Sequence, residues 1–253
     1  MVGAGTLINV VTILVGSSLG VWFGHRLPER TTRTVMDALG LTTLVIGALN
    51  VAALNDPDYV AAVGGGGTLL VVLGSLLVGG IAGSLVRIES RLEGLGGWIQ
   101  QRAARGADGE AAGGSAGRAR FIEGFVDASL IFSIGPMAIL GALSDGLGRG
   151  IDQLALKSTL DGFSSLAFAS TLGWGVAASA LSVGAWQGLW TVVAVAAGAV
   201  LSAAQIASIT ATGGILLLGV GLRLLHLRQV PVGDLLPALL VAPILTTLVG
   251  ALR

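Results

Sequence analysis

Two polar interruptions in an apolar chain hold the residues best placed to do chemistry. The first begins at Asp127 and reads DASLIFSIGPMAILGALSDG; the second begins at Asp161 and reads DGFSSLAFASTLGWGVAASA. Each opens on an aspartate and passes through Ser-Leu-x-Phe, Ser129 to Phe132 and Ser165 to Phe168. Each then reaches a break, at Gly135-Pro136 and at Gly173-Trp174-Gly175. Carboxylates, hydroxyls and freed carbonyls in such a setting can bind a cation, carry a proton or hold a polar solute. In a bilayer they are costly unless they face protein or water. A matched pair of Gly/Pro-interrupted apolar segments points to a transport site.

Asp161 is the principal acid. It follows Lys157 by one helical turn, so the two can pair on one face. That pair reads either as an outer-interface ion pair of small energetic value or as the partner of a cation- or proton-coupled carboxylate. Ser164, Ser165, Ser170 and Thr171 continue a polar track, although one straight helix cannot put all four on one face; a break at Gly173 relaxes that objection. Asp127 follows Glu123 by four residues, and like charges at that spacing repel. This suits a proton-binding acid, or both groups are simply solvated. Ser129 and Ser133 run inward from Asp127. Pro136 removes a backbone donor and frees carbonyls near Phe132 and Ser133, which can coordinate a cation or a water; a plain kink is the other reading. Asp145, Asn9 and Gln187 are further polar groups at or near span ends, each accounted for by hydrogen bonding between helices.

The elements that must position these groups are membrane helices. The chain has 253 residues, 53% hydrophobic and 11% charged, with mean hydropathy +0.88; an average soluble domain carries about 25% charge. There is no cysteine, hence no disulfide framework and no thiolate site. The two histidines, His25 and His226, stand beside arginines at span ends and read as interfacial rather than metal-binding. Zero net charge gives no case for nucleic acid. No nucleophile–base–acid constellation stands out, so no enzyme activity, metal or cofactor is expected.

A span needs about 20 mostly apolar residues. Eight candidates follow: 5–24, 35–54, 66–86, 122–143, 156–178, 185–203, 207–226 and 234–251. The first lacks a basic leader and a small-residue exit and reads as a span rather than a cleaved signal. The fifth and sixth lie close together, so Gly175 to Gly184 can be a bend or a re-entrant piece, and seven spans remain an alternative. With eight, eleven of the fourteen basic residues fall in loops on one side. The positive-inside bias makes that side cytoplasmic and puts both termini outside, in a bacterial inner membrane.

The chain reads as one integral membrane domain over 1–253, with a long cytoplasmic loop at 88–120. Ile88, Leu92, Leu95 and Ile99 are spaced for an amphipathic helix at the interface, and GADGEAAGGSAG behind them reads as a linker. The first and last thirds look alike: GTLINVVTILVGSSLG, TVMDALGLTTLVIGALN and GTLLVVLGSLLVGG set against QGLWTVVAVAAGAVLS, SITATGGILLLGVGL and GDLLPALLVAPILTTLVG. Three spans matched to three of opposite direction form an inverted repeat, spans 1–3 against 6–8, around the two interrupted central helices.

Four stretches carry a family resemblance: GTLINVVTILVGSSLG, EGFVDASLIFSIGPMAILGALSDGL, KSTLDGFSSLAFASTLGWGV and VGDLLPALLVAPIL. On them the chain resembles, over nearly its whole length, the bacterial membrane family called domain of unknown function 554 (YqgA/YdfK-like proteins). Glu123, Asp145, Lys157 and Asp161 fit that family's pattern, and Asp127 departs from it. The resemblance implies a multi-spanning inner-membrane protein and supplies no substrate.

The expectation is an all-α membrane protein that moves a small ion or solute through a site between the interrupted fourth and fifth spans. Its partners are the lipid bilayer and the cargo, with a homo-oligomer also open. A passive channel, or a scaffold or sensor acting through loop 88–120, are the alternatives.

Overall fold

In a bilayer every backbone polar group must be paired within its own segment or a closed sheet, and the described residues take the helical solution. The computed structural model describes residues 2–24, 28–106, 115–133, 136–197 and 201–252, and holds no strand among them. The elements in order are α1 (Ala4–Gly24), α2 (Glu29–Val51), a 3-10 turn (Ala52–Asn55), α3 (Pro57–Val63), α4 (Gly67–Val86) and α5 (Ile88–Gly106). There follow α6 (Ser115–Ser133), α7 (Pro136–Gly146), α8 (Asp152–Leu172), α9 (Trp174–Ala197), α10 (Ala203–Leu224), α11 (Val232–Leu235) and α12 (Ala238–Ala251).

Among the described residues, six helical stretches are long and apolar enough to cross a membrane: Ala4–Gly24, Asp37–Asn55, Gly67–Val86, Trp174–Val195, Ala203–Leu224 and Val232–Ala251. A seventh is reached if α6 and α7, bent by 78° at their junction, count as one. The expected count was eight. The difference is α8, which has 21 residues but carries Asp152, Lys157 and Asp161.

The expected fifth span, 156–178, also needs correction. Gly173-Trp174-Gly175 is not an interruption within one helix. α8 stops at Leu172, Gly173 takes φ +73°, and α9 begins at Trp174. A left-handed φ costs glycine nothing, so one residue can turn the chain between two helices. The other break, at residues 134–135, lies outside the described residues.

The helices gather into two compact units. Unit 1 contains Met1–Leu39, Ser90–Ser133 and Met137–Ala199; unit 2 contains Gly40–Glu89 and Val200–Arg253. Neither unit coincides with one triplet of the expected repeat, since α1 and α9 lie in unit 1 and α4, α10 and α12 in unit 2.

Unit 1 is built on close approach of α1 to α8. A β-carbon on Gly16 would collide with the Gly162 carbonyl and Ser165 Oγ, on Gly20 with the Leu166 carbonyl, and on Gly24 with the Ser170 carbonyl. At the other end, a β-carbon on Gly5 would stand 2.6 Å from Leu154 Cδ1. Residue numbers rise together, so α1 and α8 run parallel, in small-residue packing of the kind membrane helices favour. α6 packs parallel to α9 through Phe121 against Gly175 and Ser129 against Ser182. α6 runs antiparallel to α8: Gly124 faces Leu172, and the Phe132 and Phe168 rings meet edge to face at 6.1 Å. The two Ser-Leu-x-Phe phrases thus come together in space.

In unit 2, α4 meets α11 and α12 through Gly83 against the Asp234 carbonyl and Gly79 against Ala238. Gly47 on α2 meets Gly214 on α10. The short α3 is capped by Asp56, whose carboxylate accepts from the Asp58 and Tyr59 N–H groups. Tyr59 is buried and its hydroxyl donates to the Thr68 carbonyl at 3.2 Å. Burial pushes that phenol up to about 12, so it stays a donor across the physiological range.

Residues 88–105 are helical, within α5. Gly96 packs on Phe125 of α6, while Leu95 and Trp98 are exposed and the Arg102 guanidinium stacks 5.2 Å from the Trp98 ring. Most of the linker behind it, residues 107–114, lies outside the described residues.

Gly16→Leu should therefore part α1 from α8 and lower the unfolding midpoint in detergent, at an overpacking cost of about 1–3 kcal/mol. Gly188→Ala, where a β-carbon meets nothing within 4 Å, should leave the midpoint within error. Equal midpoints for the two variants would contradict the close approach.

Candidate functional site

The parallel packing of α1 on α8 sets Asn9 beside Asp161. Asn9 Nδ2 donates to Asp161 Oδ2 at 3.0 Å, and the Lys157 ammonium donates to the same oxygen. Lys157 and Asp161 are each only 7% exposed. The sequence left open whether this pair lies at a wet interface; it is buried. Breaking such a pair is expensive because the survivor keeps an uncompensated buried charge. Asn9 relieves part of that constraint by giving the carboxylate a second donor from another helix.

The start of α1 is held by a second acid. Asp145, at the end of α7, accepts the Gly3 N–H through Oδ1 at 3.1 Å and the Gly5 N–H through Oδ2 at 2.9 Å. These are first-turn donors that lack a partner within a helix, and the negative charge suits the positive end of the helix dipole.

Helix α9 closes the third side. Val10 Cγ2 lies 3.1 Å from a β-carbon built on Gly184, and Gly146 packs against Thr191 and Ala194. Since Gly146 adjoins Asp145, which grips Gly3 and Gly5, α9 runs antiparallel to α1. Gln187 comes one turn after Gly184, level with the turn of α1 that carries Thr6 and Asn9.

Here the hydrogen bonding is incomplete. Asn9 and Gln187 are both 0% exposed. Asn9 Oδ1, Gln187 Nε2, Gln187 Oε1 and Thr6 Oγ1 are buried atoms with no hydrogen-bond partner, as are the indole nitrogens of Trp186 and Trp190. Each unmet buried group costs about 1–3 kcal/mol, and unsatisfied buried polar atoms are rare enough that each asks for an explanation. Thr6, Asn9 and Gln187 stand on adjoining helices near the buried ion pair, where a polar guest could recover the unmet hydrogen bonds. Among the described residues no three His, Cys, Asp or Glu side chains gather as a metal site.

The remaining candidate residues lie elsewhere. Ser165 and Ser170 donate to their own helix, to the Gly162 and Ala167 carbonyls at 2.9 and 2.7 Å. Ser164 is half-buried on α8. Thr171 lies ten residues beyond Asp161, about 15 Å along a helix, and its carbonyl accepts from Arg120 Nε. Ser170, Thr171 and Gly173 therefore belong to the far end of α8, away from the ion pair. Ser129 meets Ser182 at 2.5 Å between α6 and α9. Ser133 is half-buried at the end of α6 and Pro136 opens α7, while Gly135 lies outside the described residues. Asp127 is buried on α6, with Glu123 half-buried one turn before it.

The sequence reading missed Thr6, Trp186 and Trp190, whose local context is ordinary for membrane helices. It also missed a buried pair in unit 2. Arg223 donates to Glu89 and to the Val230 carbonyl; Glu89 accepts the Gly233 N–H, and the Glu89 N–H donates to Asp234 Oδ1 at 2.8 Å. Arg223 looked like one more arginine at a span end.

The sequence model of a family described as "Protein of unknown function (DUF554)" matches residues 4–247. The chain is 30% identical over 247 residues to the "Uncharacterized membrane protein YdfK" of Bacillus subtilis (strain 168), covering 98% of this chain and 97% of that one. It is 30% identical over 242 residues to the "Uncharacterized protein YqgA" of Escherichia coli (strain K12), covering 94% of each. No solved structure matches it significantly.

Lys157→Met and Asp161→Leu should each lower stability by about 3–5 kcal/mol, because each strands a buried charge. The double variant should cost clearly less than the sum. A double-mutant cycle on unfolding in detergent checks this, and additive losses would show that the two charges are not coupled.

Proposed function

The chain belongs to the DUF554 family, and from that premise we propose that it carries a small ion or polar solute across the cytoplasmic membrane, bound among α1, α8 and α9. That it is a membrane protein with several apolar helices is plain. The observation that carries the proposal is the set of unmet buried hydrogen-bonding groups on Asn9 and Gln187, next to the Lys157–Asp161 pair. A protein that needed only to pack would gain by filling those positions with apolar side chains. A bound guest recovers the lost hydrogen bonds, and its departure leaves them unmet again.

Roles follow from the chemistry. Gln187 and the Oδ1 atom of Asn9 take the guest. Asp161 positions Asn9 through its Nδ2 bond and is itself held by Lys157. Asp145 anchors the start of α1 at the same end. In the membrane, the arginine-bearing ends face the cytoplasm, which places Asp145 and the first residues of α1 toward the outside. The corner at Gly173 then lies inside, next to Arg120. Since Asn9 and Gln187 are fully buried, the described state is occluded. An occluded site favours a carrier that opens to one side at a time over a continuously open channel.

Reconstitution into liposomes provides the test. Uptake of a panel of ions and small polar solutes should exceed that of empty liposomes, and Gln187→Leu should cut the excess at least tenfold while eluting as a monodisperse folded protein. Absence of flux for every solute tested, or Gln187→Leu flux equal to wild type, would overturn the proposal.

A further inference from the structure

Resting on the transport reading above, we infer that the guest is uncharged and presents hydrogen-bond donors and acceptors together, as a small amide or polyol does. The unmet groups at the site are of both kinds. Asn9 Oδ1 and Gln187 Oε1 are acceptors; Gln187 Nε2 is a donor; the Thr6 hydroxyl is either. A bare cation engages only oxygen acceptors and would leave the Gln187 amide donor bare. A simple anion engages only donors and would leave both carbonyl oxygens bare. A guest with both functions can satisfy the whole set.

The charges around the site agree. Lys157 and Asp161 neutralise each other, and the Asp145 carboxylate is taken up by two N–H groups at the positive end of α1. The described charges around the site are thus already partnered, and burying an uncompensated ion costs far more than burying a neutral polar group whose hydrogen bonds are met. Thr6 and Asn9 are one turn apart, about 5 Å of helix rise. Access requires α1 or α9 to move, because the two amide side chains are closed off from solvent.

The experiment uses the full-length protein in liposomes. Urea, acetamide and glycerol are the uncharged probes, followed by stopped-flow light scattering. Na⁺, K⁺ and Cl⁻ are the charged ones, followed by ion-sensitive dyes under an imposed membrane potential. At least one uncharged probe should cross ten times faster than in empty liposomes and without current. Gln187→Leu should remove that gain; if that variant does not fold, Gln187→Glu, which keeps the shape and adds a charge, should slow the same probe at least tenfold. Flux of Na⁺, K⁺ or Cl⁻ that depends on Gln187, with or without uncharged flux, overturns the inference and leaves the transport reading standing. No flux of any probe overturns both. Uncharged flux that survives both Gln187 substitutions overturns the placement of the guest.

Discussion

The structure of unit 1 depends on the Asp161 carboxylate, which has to be compensated where little water reaches it. Lys157 on its own helix supplies the charge, and Asn9 on α1 supplies a second donor. For Asn9 to arrive there, α1 must approach α8 along most of its length. The glycines at 5, 16, 20 and 24 make that possible, since each faces backbone or side-chain atoms where a β-carbon would not fit. The ion pair, the glycine spacing and the parallel course of the two helices are one constraint seen from three sides. The same geometry leaves Asn9 half used, with Nδ2 committed and Oδ1 without a partner.

Two other acids, Asp145 and Glu89, are compensated in the same way. Asp145 ties down the start of α1. In unit 2, Glu89 is shared between Arg223 and the Gly233 N–H, which fastens the start of α5 to the turn after α10. These are clasps. What distinguishes the α1–α8–α9 cluster is the pairing of a compensated charge with amides whose hydrogen-bonding capacity is not spent.

Much of this was legible in the sequence where the controlling interaction is local. Apolar length and small-residue spacing give the helices. The four-residue step from Lys157 to Asp161 gives their pairing. The period of Ile88, Leu92, Leu95 and Ile99 gives α5. The errors are of a different kind. Gly173 is read equally well as a kink in one span or as a corner between two, because a single glycine serves both and the choice depends on where the flanking helices pack. Ser170 and Thr171 looked like a continuation of the Asp161 track; they sit at the other end of α8. Asn9 and Gln187 were placed as interhelical hydrogen-bonders, and only Asn9 has such a bond. Nothing local to Gln187 says that its amide lacks a partner, since that depends on what α1 brings opposite.

The natural absence of cysteine permits a direct test of whether water and solute reach this cluster. A single Gln187→Cys protein in native membranes is treated with a water-soluble, membrane-impermeant thiol reagent, beside Leu189→Cys on the exposed face of α9 and Gly148→Cys in the turn after α7. Gly148→Cys should react fast, Leu189→Cys, facing lipid, should not, and Gln187→Cys should react at an intermediate rate set by opening of the occluded site. Gln187→Cys as inert as Leu189→Cys, from either side of the membrane, would contradict a site that opens to water.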